Sequence, residues 1–169
     1  MTEYLDIFDE QGNPTGQRCE KSRAHEQGLW HKSVHLWIIN SRGELLLRQR
    51  GSTETKEYDH VWENPAAGHV SAGETPESAT VRETQEETGL TISEKDLAHI
   101  FSYKRDADGN KELVDVFLAM LDLDIGGCLN CEGDIVKAIH MHWRDFAKTR
   151  DASHPYNKKL FAAIEEKGF

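Results

Sequence analysis

The sequence predicts an α/β fold, on three observations: apolar runs of strand length separated by turn formers, a helix delimited at both ends by its own capping residues, and an amphipathic C-terminal run. The 169 residues contain no internal repeat and no spacer rich in Pro, Gly or Ser long enough to separate one core from another. Residues 1–169 are therefore expected to form one domain, long enough to bury a sizeable core.

The elements follow in order. The alternating run from Tyr4 to Phe8 breaks at Asp9-Glu10-Gln11-Gly12-Asn13-Pro14 and resumes near Thr15, which reads as an N-terminal β-hairpin. A short polar helix is expected from Lys21 to Glu26. Val34 to Asn40 and Glu44 to Arg48 are apolar runs joined by Asn40-Ser41-Arg42-Gly43, a second hairpin. Residues 51–60 read as a polar loop. Thr75 can cap a helix whose first position is Pro76 and whose end, after Thr88, is marked by Gly89. Its non-acidic side offers only Val81, Thr84 and Thr88, so the caps carry this helix more than its periodicity does. Strands are expected over Leu97–Tyr103, Leu113–Leu121 and Lys137–Trp143. A closing helix spans Pro155 to Lys167, with Leu160, Phe161 and Ile164 as its buried stripe.

Thirty acidic against twenty basic residues give a formal charge of -10, which repels a nucleic-acid backbone and excludes polymer binding as the expected activity. No segment approaches the length of a membrane span, and Met1-Thr2-Glu3-Tyr4 does not open a basic stretch leading to an apolar run. No membrane partner and a cytoplasmic location are the expectations. The three cysteines, Cys19, Cys128 and Cys131, are an odd count that fits reduced thiols better than a disulfide framework. Cys128-x-x-Cys131 followed by His140 and His142 hints at zinc, but a single such pair on a Gly-rich turn is a weak signal.

Glu83, Glu86 and Glu87 stand at i, i+3 and i+4, so a helix places three carboxylates on one face. Crowding of like charge raises their pKa values unless a shared proton, an arginine or a metal ion answers it. Arg82, adjacent to Glu83 and one turn from Glu86, can pin one carboxylate while the others ligate. A bare Glu-x-x-Glu-Glu would read as a solvated acidic face. Here it is embedded in Gly68, Glu74, Arg82, Glu83, Glu86, Glu87 and Gly89, which satisfy G-x5-E-x7-R-E-U-x-E-E-x-G-U, where U is a bulky aliphatic residue. Thr84 departs from the first U position and Leu90 fills the last.

That pattern resembles the Nudix box. The resemblance implies a Nudix-type α/β/α sandwich with a mixed sheet, carrying the N-terminal hairpin as an extension, in which a loop containing Gly68 leads into the catalytic helix. It implies that Glu83, Glu86 and Glu87 hold magnesium or manganese (Mg2+ or Mn2+), with the Gly68 carbonyl as a further ligand. Glu83, Glu86 and Arg82 would then be the catalytic residues. Magnesium suits such a place, since a few carboxylates, retained waters and substrate phosphates hold it. One of the glutamates, or an acid from a neighbouring loop, would take the proton of the attacking water. The implied reaction is metal-dependent hydrolysis of a diphosphate linkage in a nucleoside diphosphate derivative or related small metabolite, and the family habit implies a homodimer.

Residues 4–120 also resemble the type I isopentenyl-diphosphate isomerase branch of that superfamily, through Ala24-His25, Leu29-Trp30-His31 and Trp62-Glu63-Asn64-Pro65-Ala66-Ala67-Gly68-His69. The resemblance implies that His25, His31, His69 and Glu112 form a second metal site, or meet a terminal phosphate. Tyr103 and Ala67 would lie at the substrate. Asn110 stands where that branch has a second acid, and Ala67 where it has its catalytic cysteine. Allylic isomerisation needs an acid and a base on opposite faces of the double bond, and alanine is neither, so isomerase activity is not expected. The rival from another class is a non-catalytic diphosphate-binding module, against which the complete set of box acids argues. Trp30, Trp37, Trp62 and Trp143 could stack a base, although aromatics at strand positions more often belong to the core. Specificity is expected in loops and inserted segments outside the box, at residues 51–60, 104–111 and 124–134.

Overall fold

A computed structural model describes residues 2–50, 60–107, 109–123 and 135–169. Its strands are β1 (Tyr4–Phe8), β2 (Pro14–Glu20), β3 (Trp30–Ile39), β4 (Glu44–Arg50), β5 (Trp62–Glu63), β6 (Ala66–His69), β7 (Leu97–Ala107), β8 (Asn110–Met120) and β9 (Ile135–His142). The helices are α1 (Lys21–Glu26), α2 (Pro76–Thr88), α3 (Trp143–Phe146) and α4 (Asn157–Glu166).

The sheet is mixed and β3 is its hub. It runs parallel to β8 from His31↔Glu112 to Ile39↔Met120, and antiparallel to β6, β1 and β4. β7 pairs with β8, and β4 also pairs with β5 and β9. Alternation along β3 divides the core, because successive side chains leave a strand on opposite faces. Val34, Leu36 and Ile38 pack with Ala79, Ile92 and Phe117 on the side covered by α2. Trp37 and Ile39 pack with Trp143, Phe146, Leu160 and Ile164 on the side covered by α3 and α4. This is the expected sandwich, and β1 and β2 add the expected hairpin, with Leu5 and Ile7 buried against Ala24 of α1. Among the described residues no helix is long and apolar enough to cross a membrane.

α2 begins and ends where its caps place it. Thr75 Oγ1 accepts from the Ser78 amide at 3.1 Å, and Gly89 takes φ of 73°, the left-handed region that a side chain disfavours. Its buried face is built from Ala79, Thr80, Thr84 and Thr88 rather than large aliphatics. The threonine hydroxyls donate one turn back, Thr80 to Pro76 O at 2.8 Å, Thr84 to Thr80 O and Thr88 to Thr84 O, both at 2.6 Å. No hydroxyl of this face is therefore buried unpaired, which is why Thr84 serves at a position expected to be aliphatic.

Several expectations need correcting. Residues 104–107 and 109–111 are not a loop: they end β7 and begin β8, with the cross-strand pairs Arg105↔Glu112 and Asp106↔Lys111 and Gly109 at φ of 85°. Gly68 lies on the short strand β6 rather than in a loop, paired with Val34. The C-terminal helix starts at Asn157, after a 3-10 turn at Arg150–Ser153, and Trp143 opens α3 instead of closing a strand. Residues 51–59 and 124–134, including Cys128 and Cys131, lie outside the described residues.

Candidate active site

Arg82 organises the glutamate face. Its Nη1 donates to Glu83 Oε1 at 2.8 Å and to Glu86 Oε2 at 3.1 Å. Its Nε and Nη2 grip both oxygens of Glu74, at 3.1 and 3.0 Å, and Nη2 also reaches the His69 carbonyl at 3.0 Å. The bidentate pairing with Glu74 comes first in raising the guanidinium pKa above its ordinary value. Arg82 thus does more than pin one carboxylate: it ties α2 to β6 and to the turn before the helix.

Glu83 and Glu87 reach back to the sheet. Glu83 lies against Gly68 so closely that a Cβ there would fall 2.0 Å from its carboxyl carbon. The glycine is needed for that approach, not for an unusual backbone angle. Glu87 Oε2 accepts from the Ala67 amide at 3.0 Å and from Arg48 Nη2 at 3.1 Å. Burial raises the pKa of both Glu83 and Glu87, and the arginine beside each only partly offsets it. Glu86, at 59% side-chain exposure, faces solvent. Arg48, 6% exposed and also 3.8 Å from Glu63, was not singled out by its sequence. The readable signal was a cation closing the apolar strand Leu45-Leu46-Leu47, which can be buried there only against an anion.

This donor set fits a hard divalent cation. It supplies carboxylate oxygens, two of them desolvated and held toward the neutral form, which an ion would reverse. The three glutamates share a helix face yet diverge, Glu83 and Glu86 toward Arg82 and Glu87 toward Arg48.

Three residues distant in sequence do converge. One nitrogen from each of His25, His31 and His69 lies within 4.8 Å of the others. His31 Nδ1 donates to Leu29 O at 2.8 Å, which fixes its tautomer and leaves Nε2 buried with no hydrogen-bond partner. His25 Nε2 and His69 Nε2 are 3.2 Å apart. Glu112 Oε1 is 3.6 Å from His69, while its Oε2 accepts from Arg105 at 2.7 Å. Burial first, then neighbouring positive groups, depresses the His69 pKa to about 3, so the contact with Glu112 is not an ion pair near neutrality. A buried, unpartnered Nε2 aimed at two further imidazoles is the donor set of a borderline metal such as zinc.

These histidines set a pH dependence. His69 and His35 are held at about 3 and about 4, below the 6.5 of an unfolded histidine, so between those values the unfolded chain binds protons the folded chain refuses. Stability should fall as pH drops from 6.5 toward 4. Glu83 and Glu87, raised in the fold, act in the opposite sense: their contribution is full below 4.5 and is lost as pH rises. Melts in chelator of wild type and His69→Asn separate the two, the variant losing some of the acid sensitivity below pH 6.5.

Beside both clusters opens a cavity of about 830 Å³. Ala67, Gly68, His69, Glu112, Tyr103 and Tyr156 are among the residues that line it. Ala67 and Tyr103 therefore share one space. Trp37 and Trp62 line it too, whereas Trp143 packs in the core and Trp30 lies under Lys104 and Lys111.

Residues 29–164 match the NUDIX domain model, and the chain belongs to that family. Nudix hydrolases generally use divalent metals. Nudix hydrolase 3 of Arabidopsis thaliana is 28% identical over 182 residues, an alignment covering 98% of this chain and 24% of that protein. The isopentenyl-diphosphate Delta-isomerase of Citrobacter koseri is 38% identical over 92 residues, 54% of this chain and 50% of the enzyme. The chain thus spans half or less of the length of these relatives. The crystal structure of DR0079 from Deinococcus radiodurans superposes with a TM-score of 0.68 at 18% identity, over 97% of this chain and 98% of that one, and shows the same fold.

Proposed function

We propose that the protein hydrolyses a diphosphate linkage in a nucleoside diphosphate derivative or a related small phosphorylated metabolite, with magnesium or manganese. The single observation that carries this reading is the α2 face, where Glu83 lies against Gly68 and Glu87 against the Ala67 amide, two residues that also line the cavity, with Glu86 beside them on Arg82. Glu83, Glu86, Glu87 and the Gly68 carbonyl would hold the cation. When bound, it neutralises charge on the bridging diphosphate and lowers the pKa of the attacking water. Arg82 holds Glu83 and Glu86 in place through one nitrogen. One of the three glutamates, or an acid from a neighbouring loop, takes the water proton. Ala67 offers neither acid nor base at the cavity, which disfavours allylic isomerisation.

The histidine trio supports a second role at the same cavity, holding a metal or the terminal phosphate. The test is a panel of nucleoside diphosphate derivatives, dinucleotide polyphosphates and isoprenoid diphosphates, assayed with magnesium, with manganese and with chelator. Turnover of at least one substrate that chelation abolishes is expected. Saturable binding without products under every metal condition would replace the enzyme with a binding module.

A further inference from the structure

Arg48 is buried near the end of β4, its side chain only 6% exposed, and it is aimed at the last turn of α2. Leu46 packs on the α2 side of the sheet, so Arg48, two residues on, leaves the same face. Its Nη2 donates to Glu87 Oε2 at 3.1 Å, and its Nη1 reaches the Glu87 backbone carbonyl at 3.5 Å. One guanidinium thus holds one glutamate by side chain and backbone together, at the helix end where a cation is favoured. A second carboxylate, Glu63 of β5, stands 3.8 Å from the same Nη2 and lines the cavity. The strand pairing builds this arrangement, since Arg48 and Glu63 are direct cross-strand partners.

This pairing differs from that of Arg82, which commits every nitrogen of its fork to a partner. Arg48 Nε is buried and has no hydrogen-bond partner among the described residues. An unmade buried donor costs about 1–3 kcal/mol, and a buried ion pair seldom stabilises a fold more than an apolar side chain of similar size would. Stability alone therefore does not account for an arginine here. What it does to Glu87 accounts for it better. Glu87 Oε2 accepts from the Ala67 amide at 3.0 Å as well as from Arg48. Both donors sit on the same oxygen, which fixes where the carboxylate stands and leaves Oε1 as the oxygen that can ligate.

We propose that Arg48 is a positioning residue for the glutamate face: it holds Glu87 so that Oε1 meets the cation, while Glu63 balances the guanidinium charge that would otherwise repel that cation. The proposal rests on the reading that the α2 face binds magnesium or manganese, and it adds to that face a residue from β4, outside the Nudix box. Glu83 takes its orientation from Arg82, and Glu87 takes its own from Arg48.

Magnesium alone is titrated calorimetrically into the full chain, because an ion that prefers oxygen discriminates against the three imidazoles nearby. Removing Arg48 by itself would alter orientation and charge together. Arg48→Met/Glu63→Gln deletes one charge of each sign and leaves the net charge beside the site unaltered. Its magnesium Kd should be weaker than that of wild type by about tenfold, the low end of what a metal site loses with an outer-shell partner. Glu63→Gln alone should lose less than the double variant. Arg48→Lys keeps the charge but offers one point of contact in place of a fork, so it should weaken binding by about threefold. That milder change decides the outcome where the double variant fails to fold in chelator melts. A merely structural ion pair would lower those melts and leave the magnesium Kd of the folded variants at the wild-type value, which overturns the proposal. Glu63→Gln matching the double variant overturns it too, since the loss would then be Glu63's own. Wild type that binds no magnesium overturns the metal-dependent hydrolase reading along with it. Magnesium-dependent turnover by wild type, with an unaltered Kd in the variants, overturns the role of Arg48 alone.

Discussion

Glu83→Gln should remove metal-dependent turnover by about 10³-fold or more while leaving the chain folded. The amide has the shape of the carboxylate, so it still fits against Gly68 and still accepts from Arg82, whose Nη1 lies 2.8 Å from Glu83 Oε1. What it lacks is charge. In chelator that loss is nearly harmless, because burial already disfavours the ionised form of Glu83 and raises its pKa. With magnesium the behaviours diverge: wild type gains melting temperature as ligand binds only its folded state, and the variant gains little. Paired melts, with and without metal, therefore separate loss of ligation from loss of fold. Turnover by Glu83→Gln equal to wild type would sink the glutamate assignment. Arg82→Ala is a different perturbation. Since Arg82 also grips Glu74 and the His69 carbonyl, removing it should loosen the turn between β6 and α2, lowering stability along with activity.

What the sequence disclosed follows from the range of the interactions involved. α2 was legible to the residue because Thr75, Pro76 and Gly89 act within one turn of themselves. The glutamate face was legible for the same reason, since i, i+3 and i+4 are neighbours on any helix. The histidine trio was suggested only by a resemblance, as no local rule brings residues 25, 31 and 69 together; the β3–β6 pairing and α1 do so. Arg48 and the β3 ladder were missed. Alternation marks Ser33, His35 and Trp37 as one face, but only the tertiary structure shows that this face both joins the core at Trp37 and lines the cavity. Residues 104–107 and 109–111 were mistaken for a loop because polar side chains on a strand pair, such as Arg105 facing Glu112 across it, look the same in composition as those of a solvated loop.

Gly68→Ala should cost the enzyme nearly as much as losing Glu83, by a purely steric route. The backbone of β6 at this residue is not in the left-handed region, so alanine meets no conformational penalty there. The obstacle is contact alone: the new Cβ would lie 2.0 Å from Glu83 Cδ and within 2.4 Å of both its carboxylate oxygens. Either the Glu83 carboxylate swings away or β6 separates from α2, and overpacking of this kind destabilises by roughly 1–3 kcal/mol. Turnover should fall by about 10²-fold or more, because the displaced carboxylate and the adjoining carbonyl are both proposed ligands. A second substitution tests the cause. Glu83→Asp shortens the side chain by one methylene and withdraws its carboxylate from the clash, so Gly68→Ala/Glu83→Asp should melt higher than Gly68→Ala alone. If instead Gly68→Ala matches wild type in melting temperature and in turnover, then Glu83 does not rest on the β6 backbone in the working enzyme, and Gly68 has no claim on the metal.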